Sequence, residues 1–145
     1  MKYGFVMITV ELAGALKAAG LVWHPASGDR FTLTTGAFDG DVFTLSEMVV
    51  EAQQTRTGTV LGFNGTTEWA LDAAEATDAL WLPREDQLRA LLGSSFRSLE
   101  RVDEGYRVTS VMPAHQPEEP LAYWGAEPSE AYGRALLALI RRATG

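Results

Sequence analysis

The chain contains no cysteine among its 145 residues. Without thiol groups it forms no disulfide, thiolate zinc site or iron–sulfur cluster, and it carries no cysteine nucleophile. Histidine is almost as scarce, and the chain has two, His24 and His115. Their separation does not match the spacing of metal ligands. We therefore predict that the protein holds no metal and no cofactor.

The chain also has no long apolar run and no excess of basic residues. No apolar segment approaches the length of about 18 residues that marks a membrane helix, and the apolar start of the chain is too short for a signal peptide. The formal charge is −7, with 12 Lys and Arg against 19 Asp and Glu. A nucleic-acid binder needs a cationic surface to release counterions from phosphate. We expect a cytoplasmic protein that binds neither nucleic acid nor membrane.

The common glycine motifs of enzymes are missing. The chain has no phosphate-binding Gly-x-x-x-x-Gly-Lys-Ser/Thr, no dinucleotide Gly-x-Gly-x-x-Gly and no nucleophile elbow Gly-x-Ser-x-Gly. These absences favour a protein that is not an enzyme.

The residues from Ala79 to Gly93 form the most informative pattern that is present. An apolar run ends at Pro83, and leucines follow at 88, 91 and 92. Proline suits the first turn of a helix, and glycine suits the left-handed position after its end. The pattern predicts a short strand and then a helix over 83–92, with the three leucines on one face.

Two further helices are predicted at 9–19 and 128–142. Thr9 is a suitable cap and Gly20 a suitable stop for the first, and Pro128 fits the first turn of the second. Apolar residues recur at helical spacing in both. The predicted stripes are Leu12, Leu16 and Ala19 in the first helix, and Tyr132, Leu136, Leu139, Ile140 and Ala143 in the second.

Strands are predicted where apolar and polar residues alternate. The clearest hairpin joins 96–102 to 106–111 through Asp103, Glu104 and Gly105, and 121–124 is a candidate edge strand. Phe31–Thr34 has the alternation of a half-buried strand. Further strands are predicted at 42–45, 59–63 and 68–71, with a tight turn at Asn64-Gly65 before the last.

Together these elements predict an α+β fold in which helices pack on an antiparallel sheet built from hairpins. We expect about three helices and two layers, with three layers as the alternative. The length fits a single globular domain over residues 1–145, in which 1–6 form a frayed leader if Met7 is the natural start.

The tryptophans are the first candidate binding residues. Each lies in a short apolar segment, and they are Trp23, Trp69, Trp81 and Trp124. Two of them lining a groove would bind a peptide or a small ligand, while burial in the core is the alternative. Arg84 and Glu85 begin the helix at 83–92 and form a polar patch for a partner, although acids at a helix start are also favourable on dipole grounds alone.

Paired carboxylates supply the alternative function. Glu47 and Glu51 are four residues apart, as are Glu68 and Asp72. On a helix each pair would share a face, where two carboxylates act as general acid and base or hold a hard cation. The alternative function is therefore a hydrolase or small-ligand-binding protein with an acidic site. A solvated acidic face explains the same pairs.

Three stretches of the chain are familiar together. They are Ala19–Phe31 (AGLVWHPASGDRF), Gly62–Asp72 (GFNGTTEWALD) and Leu80–Gly93 (LWLPREDQLRALLG), and the tail Ala131–Ile140 (AYGRALLALI) accompanies them. With these the chain resembles a family of small actinobacterial proteins, some of which are labelled pilus-assembly proteins of the tight-adherence type. The resemblance covers most of the length and offers no catalytic residues. It implies a cytoplasmic accessory protein.

The function that we expect from the sequence is a non-enzymatic interaction module that binds a protein partner or associates with itself. Its positive features are the aromatic residues and the acidic surface.

Overall fold

The computed structural model describes residues 7–34, 41–45, 52–55, 58–61, 79–112 and 119–144, the two short ranges 52–55 and 58–61 by their backbone alone. The described chain forms two compact units. The first unit comprises Met1–Leu21 with Pro83–Gly145, and the second comprises Val22–Leu82. A single domain over 1–145 stays a prediction. The predicted leader at 1–6, the Asn64-Gly65 turn and the strand at 68–71 lie outside the described residues.

In its described residues the first unit contains three α-helices and one sheet. The helices are α1 (Val10–Ala19), α2 (Glu85–Leu92) and α3 (Pro128–Thr144). The sheet contains β6 (Phe96–Val102), β7 (Gly105–Ser110) and β8 (Leu121–Gly125), in the order β6-β7-β8 with antiparallel neighbours. As described, each helix falls short of the length and apolarity needed to cross a membrane.

The second unit is made of strands in the part that the structure describes. One sheet has the order β2 (Val42–Thr44), β1 (Arg30–Leu33) and β5 (Ala79–Trp81), and all its neighbours are antiparallel. The strands β3 (Ala52–Thr55) and β4 (Gly58–Leu61) form a separate hairpin. The predicted α+β fold with antiparallel, hairpin-built sheets packed by helices is therefore confirmed.

The hairpin from β6 to β7 follows the predicted alternation. Val102 pairs with Gly105, which leaves a two-residue connection at Asp103 and Glu104. Val108 is fully buried, and Ser110 on the same face is buried as well. Phe96, which pairs with Ser110, contacts the Tyr132 ring of α3 at 5.7 Å between centroids. The face that carries Val108 and Ser110 is thus the one covered by α3.

The helix α3 packs closely because glycines lie at its contacts. A Cβ atom on Gly125 would lie 2.5 Å from Glu130 Cβ and 2.6 Å from Ala131 N. A Cβ atom on Gly133 would lie 2.6 Å from Leu12 Cδ2 of α1. All three distances are shorter than real Cβ atoms show. At Gly125 the neighbours include backbone, so glycine is needed for α3 to approach β8 this closely, whereas at Gly133 the Leu12 side chain of α1 would have to move.

The predicted boundaries of α1 are confirmed. The Thr9 hydroxyl accepts a hydrogen bond from Leu12 N at 3.2 Å, which is a standard N-cap. Gly20 ends the helix in the left-handed region at φ 118°. Its N–H donates to the carbonyl oxygens of Leu16 and Lys17. These bonds satisfy orphan groups at both ends of the helix.

The leucine face predicted for α2 is only partly right. Leu88 and Leu92 are buried, but Leu91 is 42% exposed, so its place on the buried face was wrong. The residues at i and i+4 lie on the buried side of this short helix, which packs mainly against α3, while i+3 lies at the margin. The predicted strand and helix are present, with the helix beginning at Glu85 rather than Pro83. Gly93 follows its end with a positive φ of 55°, but its ψ of −131° lies outside the predicted left-handed region.

Two other burial predictions need correction. In α3 the buried residues lie at the start of the helix, and Ala143 is exposed although the stripe included it. The buried set is Ser129, Ala131, Tyr132, Gly133, Ala135 and Leu136.

In β1 the side chains of Phe31, Thr32 and Leu33 are all buried, so this central strand is covered on both faces rather than half-buried. The Thr32 hydroxyl donates to Asp41 O at 2.6 Å.

The close approach of α3 to β8 can be tested with Gly125→Ala. The new methyl group would overlap backbone atoms of α3, and we expect it to lower the free energy of unfolding by about 1–3 kcal/mol. Gly14→Ala in α1 is the matched control, because a Cβ atom there meets nothing within 4 Å. It should stabilise the protein by about 0.5–1 kcal/mol through helix propensity. Urea unfolding followed by circular dichroism measures both, and an unchanged stability of Gly125→Ala would contradict the packing.

Candidate functional site

Two of the four predicted tryptophans come together in the second unit. Phe31 pairs with Phe43 on one side and with Trp81 on the other, so the three rings form a row across the sheet. Trp23 lies against this row, with its ring centroid 5.4 Å from that of Phe31. It also stacks on Trp81 at 6.5 Å and 11° between the ring planes. We call these four rings the aromatic cluster.

Asp29 holds Trp23 in place. The indole N–H of Trp23 donates to Asp29 Oδ2 at 2.8 Å, and Ala26 N donates to the same oxygen at 3.1 Å. Asp29 itself is buried. A buried carboxylate is tolerated only where hydrogen bonds replace its water, so the turn and the indole stabilise each other. No local spacing in the sequence indicates this bond.

Trp81 differs from Trp23 in one respect. Its Nε1 atom is buried and has no hydrogen-bond partner among the described residues. An unpaired buried donor costs roughly 1–3 kcal/mol, because its bond to water is lost on folding and nothing replaces it. The aromatic cluster therefore contains one satisfied and one unsatisfied indole.

The two indoles predict different responses to the same substitution. Trp23→Phe removes a hydrogen bond to the buried Asp29, whereas Trp81→Phe removes a donor that has no partner among the described residues. Both variants lose a similar apolar area. We expect Trp23→Phe to destabilise the protein more than Trp81→Phe, by about 1–3 kcal/mol. Guanidinium unfolding followed by circular dichroism gives the difference, and an equal or larger cost for Trp81→Phe would show that its N–H is bonded.

The predicted patch at Arg84 and Glu85 lies at the start of α2. Arg84 N donates to Gln87 Oε1 at 2.9 Å, so the third residue of the helix caps its beginning. The Arg84 guanidinium pairs with Asp86, with 3.1 Å between Nε and Oδ1. This bond lowers the pKa of Asp86 from its ordinary value, and burial opposes the effect only in part.

A cavity of about 340 Å³ opens beside this patch, lined by Glu85, Asp86, Arg89 and Tyr132. The Arg89 guanidinium lies over the Phe96 ring at 4.4 Å, which is a favourable cation–π distance. Burial raises the pKa of the Tyr132 hydroxyl, and the nearby Arg89 acts in the opposite direction. Arg89 thus has an aromatic and a phenolic neighbour inside its own unit, and we assign it a structural role.

The pairing of Arg84 with Asp86 is tested by Arg84→Ala. The pKa of Asp86 should rise towards its ordinary value because its main hydrogen-bond donor is gone. The pKa of Asp86 is lower in the folded protein than in the unfolded chain. The pair therefore stabilises the fold at pH values above the unfolded pKa, and this stabilisation is lost as the pH falls through the folded pKa. The contribution is small, because the Asp86 side chain is 72% exposed. Titration of the side-chain carboxyl by NMR checks the pKa, and a value unchanged in Arg84→Ala would contradict the assignment.

Trp124 lies in the first unit, on β8, and is 52% exposed. It pairs with Arg107 of β7, which in turn pairs with Glu100 of β6. The three side chains therefore form one row on the face opposite α3. Arg107 and Glu100 form a two-pronged ion pair at 2.9 and 3.2 Å. Trp124 is the apolar member of this row and lies on the last strand of the described sheet.

A second cavity of about 340 Å³ lies at the end of this sheet. Its lining includes Tyr106, Trp124, Gly125 and Arg134. The Arg134 guanidinium reaches from α3 and donates to the Trp124 carbonyl oxygen. We call Trp124, its carbonyl and the outer side of β8 the β8 edge. Trp124 and the aromatic cluster thus belong to different units of the chain.

The remaining predicted site residues lie outside the described residues. They are Trp69 and the alternative acidic site of Glu47, Glu51, Glu68 and Asp72. Asp29, Tyr132 and Arg134 are site residues that the sequence did not indicate. Their roles depend on contacts between different parts of the chain, and no local spacing signals them.

Comparison with protein-family models, with curated proteins and with solved structures found no match.

Proposed function

We propose that this protein is a non-enzymatic interaction module that binds a protein partner through the β8 edge. The observation that carries the proposal is Trp124, a large indole that is half exposed on the last strand of a described sheet. Tryptophan is among the residues that contribute most to protein interfaces, because it buries a large rigid surface on binding.

The surroundings of Trp124 support this choice over the other tryptophans. Trp23 and Trp81 stack on each other within the aromatic cluster. In the described sheet, the cross-strand neighbour of Trp124 is Arg107. The row of Glu100 and Arg107 supplies a polar border beside the indole. An apolar centre with a polar rim is the usual anatomy of a binding surface.

The proposal also includes the setting of the protein. We propose a cytoplasmic accessory protein of the actinobacterial type that the sequence resembles, with neither nucleic acid nor membrane as its partner. The formal charge of −7 supports the exclusion of nucleic acid. No described residue supports the alternative of a hydrolase or ligand-binding protein with an acidic site.

Trp124→Ala tests the proposed function. We expect the purified wild-type protein to capture a reproducible partner from an actinobacterial lysate, and Trp124→Ala to lose at least about tenfold in capture, since loss of a central tryptophan commonly costs 2 kcal/mol or more. Leu91→Ala and Val10→Ala are matched controls, because both residues are exposed apolar side chains of the same unit. Their capture should equal that of the wild type.

Two results would contradict the proposed function. One is a protein that captures nothing reproducibly. The other is equal capture by the wild type and Trp124→Ala, with circular dichroism showing that both are folded.

A further inference from the structure

We infer that the β8 edge accepts an extended peptide as an added strand, and that this peptide has an uncharged centre with a basic residue at each end. The inference rests on the proposed function and specifies the mode of binding and the chemistry of the partner. It follows from the charge pattern of the two outer strands and from the hydrogen bond that Arg134 makes.

The two outer strands of the described sheet differ in how they are protected. β6 carries three charged residues, Arg97, Glu100 and Arg101, within Phe96–Val102. Charged side chains on an outer strand are the usual protection against unwanted strand pairing. β8 reads Leu-Ala-Tyr-Trp-Gly and has no charged residue and no proline. β8 therefore has no charged residue of its own to keep another strand away, although Arg134 of α3 bonds its Trp124 carbonyl.

The hydrogen bond from Arg134 shows which backbone groups of β8 face outward. In the described sheet β8 has one neighbouring strand, β7, and the Trp124 carbonyl accepts a side-chain bond from α3. The register of the hairpin gives the same direction, because Val102 and Gly105 close the two-residue connection as a bonded pair and, by alternation, Arg107 turns its backbone groups towards β6. Arg107 and Trp124 are therefore a pair without ladder bonds, in which the N–H and C=O of Trp124 point away from β7. By the period of two, the N–H and C=O of Ala122 point outward as well.

The charges that flank β8 identify the occupant. Glu119 precedes the strand and Glu127 follows it, and both are exposed. Glu119 lies two residues before β8, and Glu127 lies two residues after it, at the bend that leads into α3. A strand laid along β8 would meet an uncharged stretch between two acids. Basic residues near both of its ends would complement them.

The same charges disfavour a second copy of this chain. Antiparallel self-pairing about Tyr123 would place Trp124 opposite Ala122 of the other copy, which is sterically acceptable. It would also bring Glu119 of each copy towards Glu127 of the other, beyond both ends of the paired strands. Like charges directly opposite each other destabilise a strand pair, and the formal charge of −7 adds repulsion between the two molecules. A basic peptide avoids both costs.

A synthetic nine-residue peptide, Lys-Thr-Val-Thr-Val-Thr-Val-Thr-Lys, is the probe for this inference. Its twin has Glu in place of both lysines. We expect the Lys probe to bind the full chain and to shift the backbone NMR signals of β8. It should bind about tenfold more tightly than the Glu twin, which corresponds to a modest gain from each exposed charge pair. Added salt should weaken the binding of the Lys probe.

Three variants locate the binding. Ala122→Pro removes an outward N–H that β7 does not use, so the fold should remain while the Lys probe loses binding at least tenfold. The double variant Glu119→Lys with Glu127→Lys should reverse the preference and bind the Glu twin more tightly. Arg134→Gln keeps the length of the side chain close to that of arginine but weakens its hold on the Trp124 carbonyl. It should bind the Lys probe at least as tightly as the wild type.

Several outcomes would overturn the inference. They are equal affinity for the two probes, no change in preference in the double variant, and binding that Ala122→Pro does not affect. Self-association of the wild type that Ala122→Pro abolishes would also overturn it, because the occupant would then be a second copy. If the wild type captures a partner through Trp124 but binds neither probe, this inference fails and the proposed function stands.

Discussion

The arrangement of the first unit depends on how closely α3 approaches the strands and the helix that it covers. Gly125 on β8 and Gly133 on α3 mark the contacts, and a side chain at either position would overlap its neighbour. Ala131 and Ala135, which are fully buried, extend the same narrow contact along the helix. A bulky residue in this stripe would hold α3 away from the sheet. The close approach brings Arg134 within reach of the Trp124 carbonyl and so determines the local structure of the β8 edge.

The second unit relies on a different principle. Its described core is a row of aromatic rings laid across a three-stranded sheet, with Trp23 added from the segment before β1. Aromatic rings provide a large buried area, but indoles also require partners for their N–H groups. The Asp29 turn meets this requirement for Trp23. The unpaired Nε1 of Trp81 shows that the requirement is not met everywhere among the described residues.

Much of the fold could be predicted because its signals are local. The hairpin from β6 to β7 follows from alternation around Asp103-Glu104-Gly105, and α1 follows from Thr9 and Gly20 at its ends. Burial was harder to predict. Helical spacing gives the period of a stripe but not the width of the buried arc, so Leu91 was wrongly included. β1 was expected to be half-buried, since alternation cannot show that a central strand is covered on both faces.

The candidate site was less predictable than the fold. The sequence indicated Trp23, Trp81 and Trp124 by type, but their grouping depends on strand register. Trp81 meets Trp23 because β5 pairs with β1 so that Trp81 lies opposite Phe31. Arg134 contacts Trp124 from another element, ten residues along the chain. Such contacts between elements have no signature in local spacing. The charge pattern of β8 was legible in the sequence, but its meaning depends on β8 being the last strand of the described sheet.

The central claim is that Ala122 and Trp124 of β8 turn their backbone N–H groups to the outer side of the described sheet, where Arg134 already bonds the Trp124 carbonyl. Amide hydrogen exchange of the free protein, read residue by residue by NMR, tests this claim most directly. We expect the amide of Tyr123, which points towards β7, to be protected, and the amides of Ala122 and Trp124 to exchange much faster. Equal protection at all three positions would show that another strand already covers the edge. Protection of Trp124 with rapid exchange at Tyr123 would show that the outward groups have been wrongly assigned.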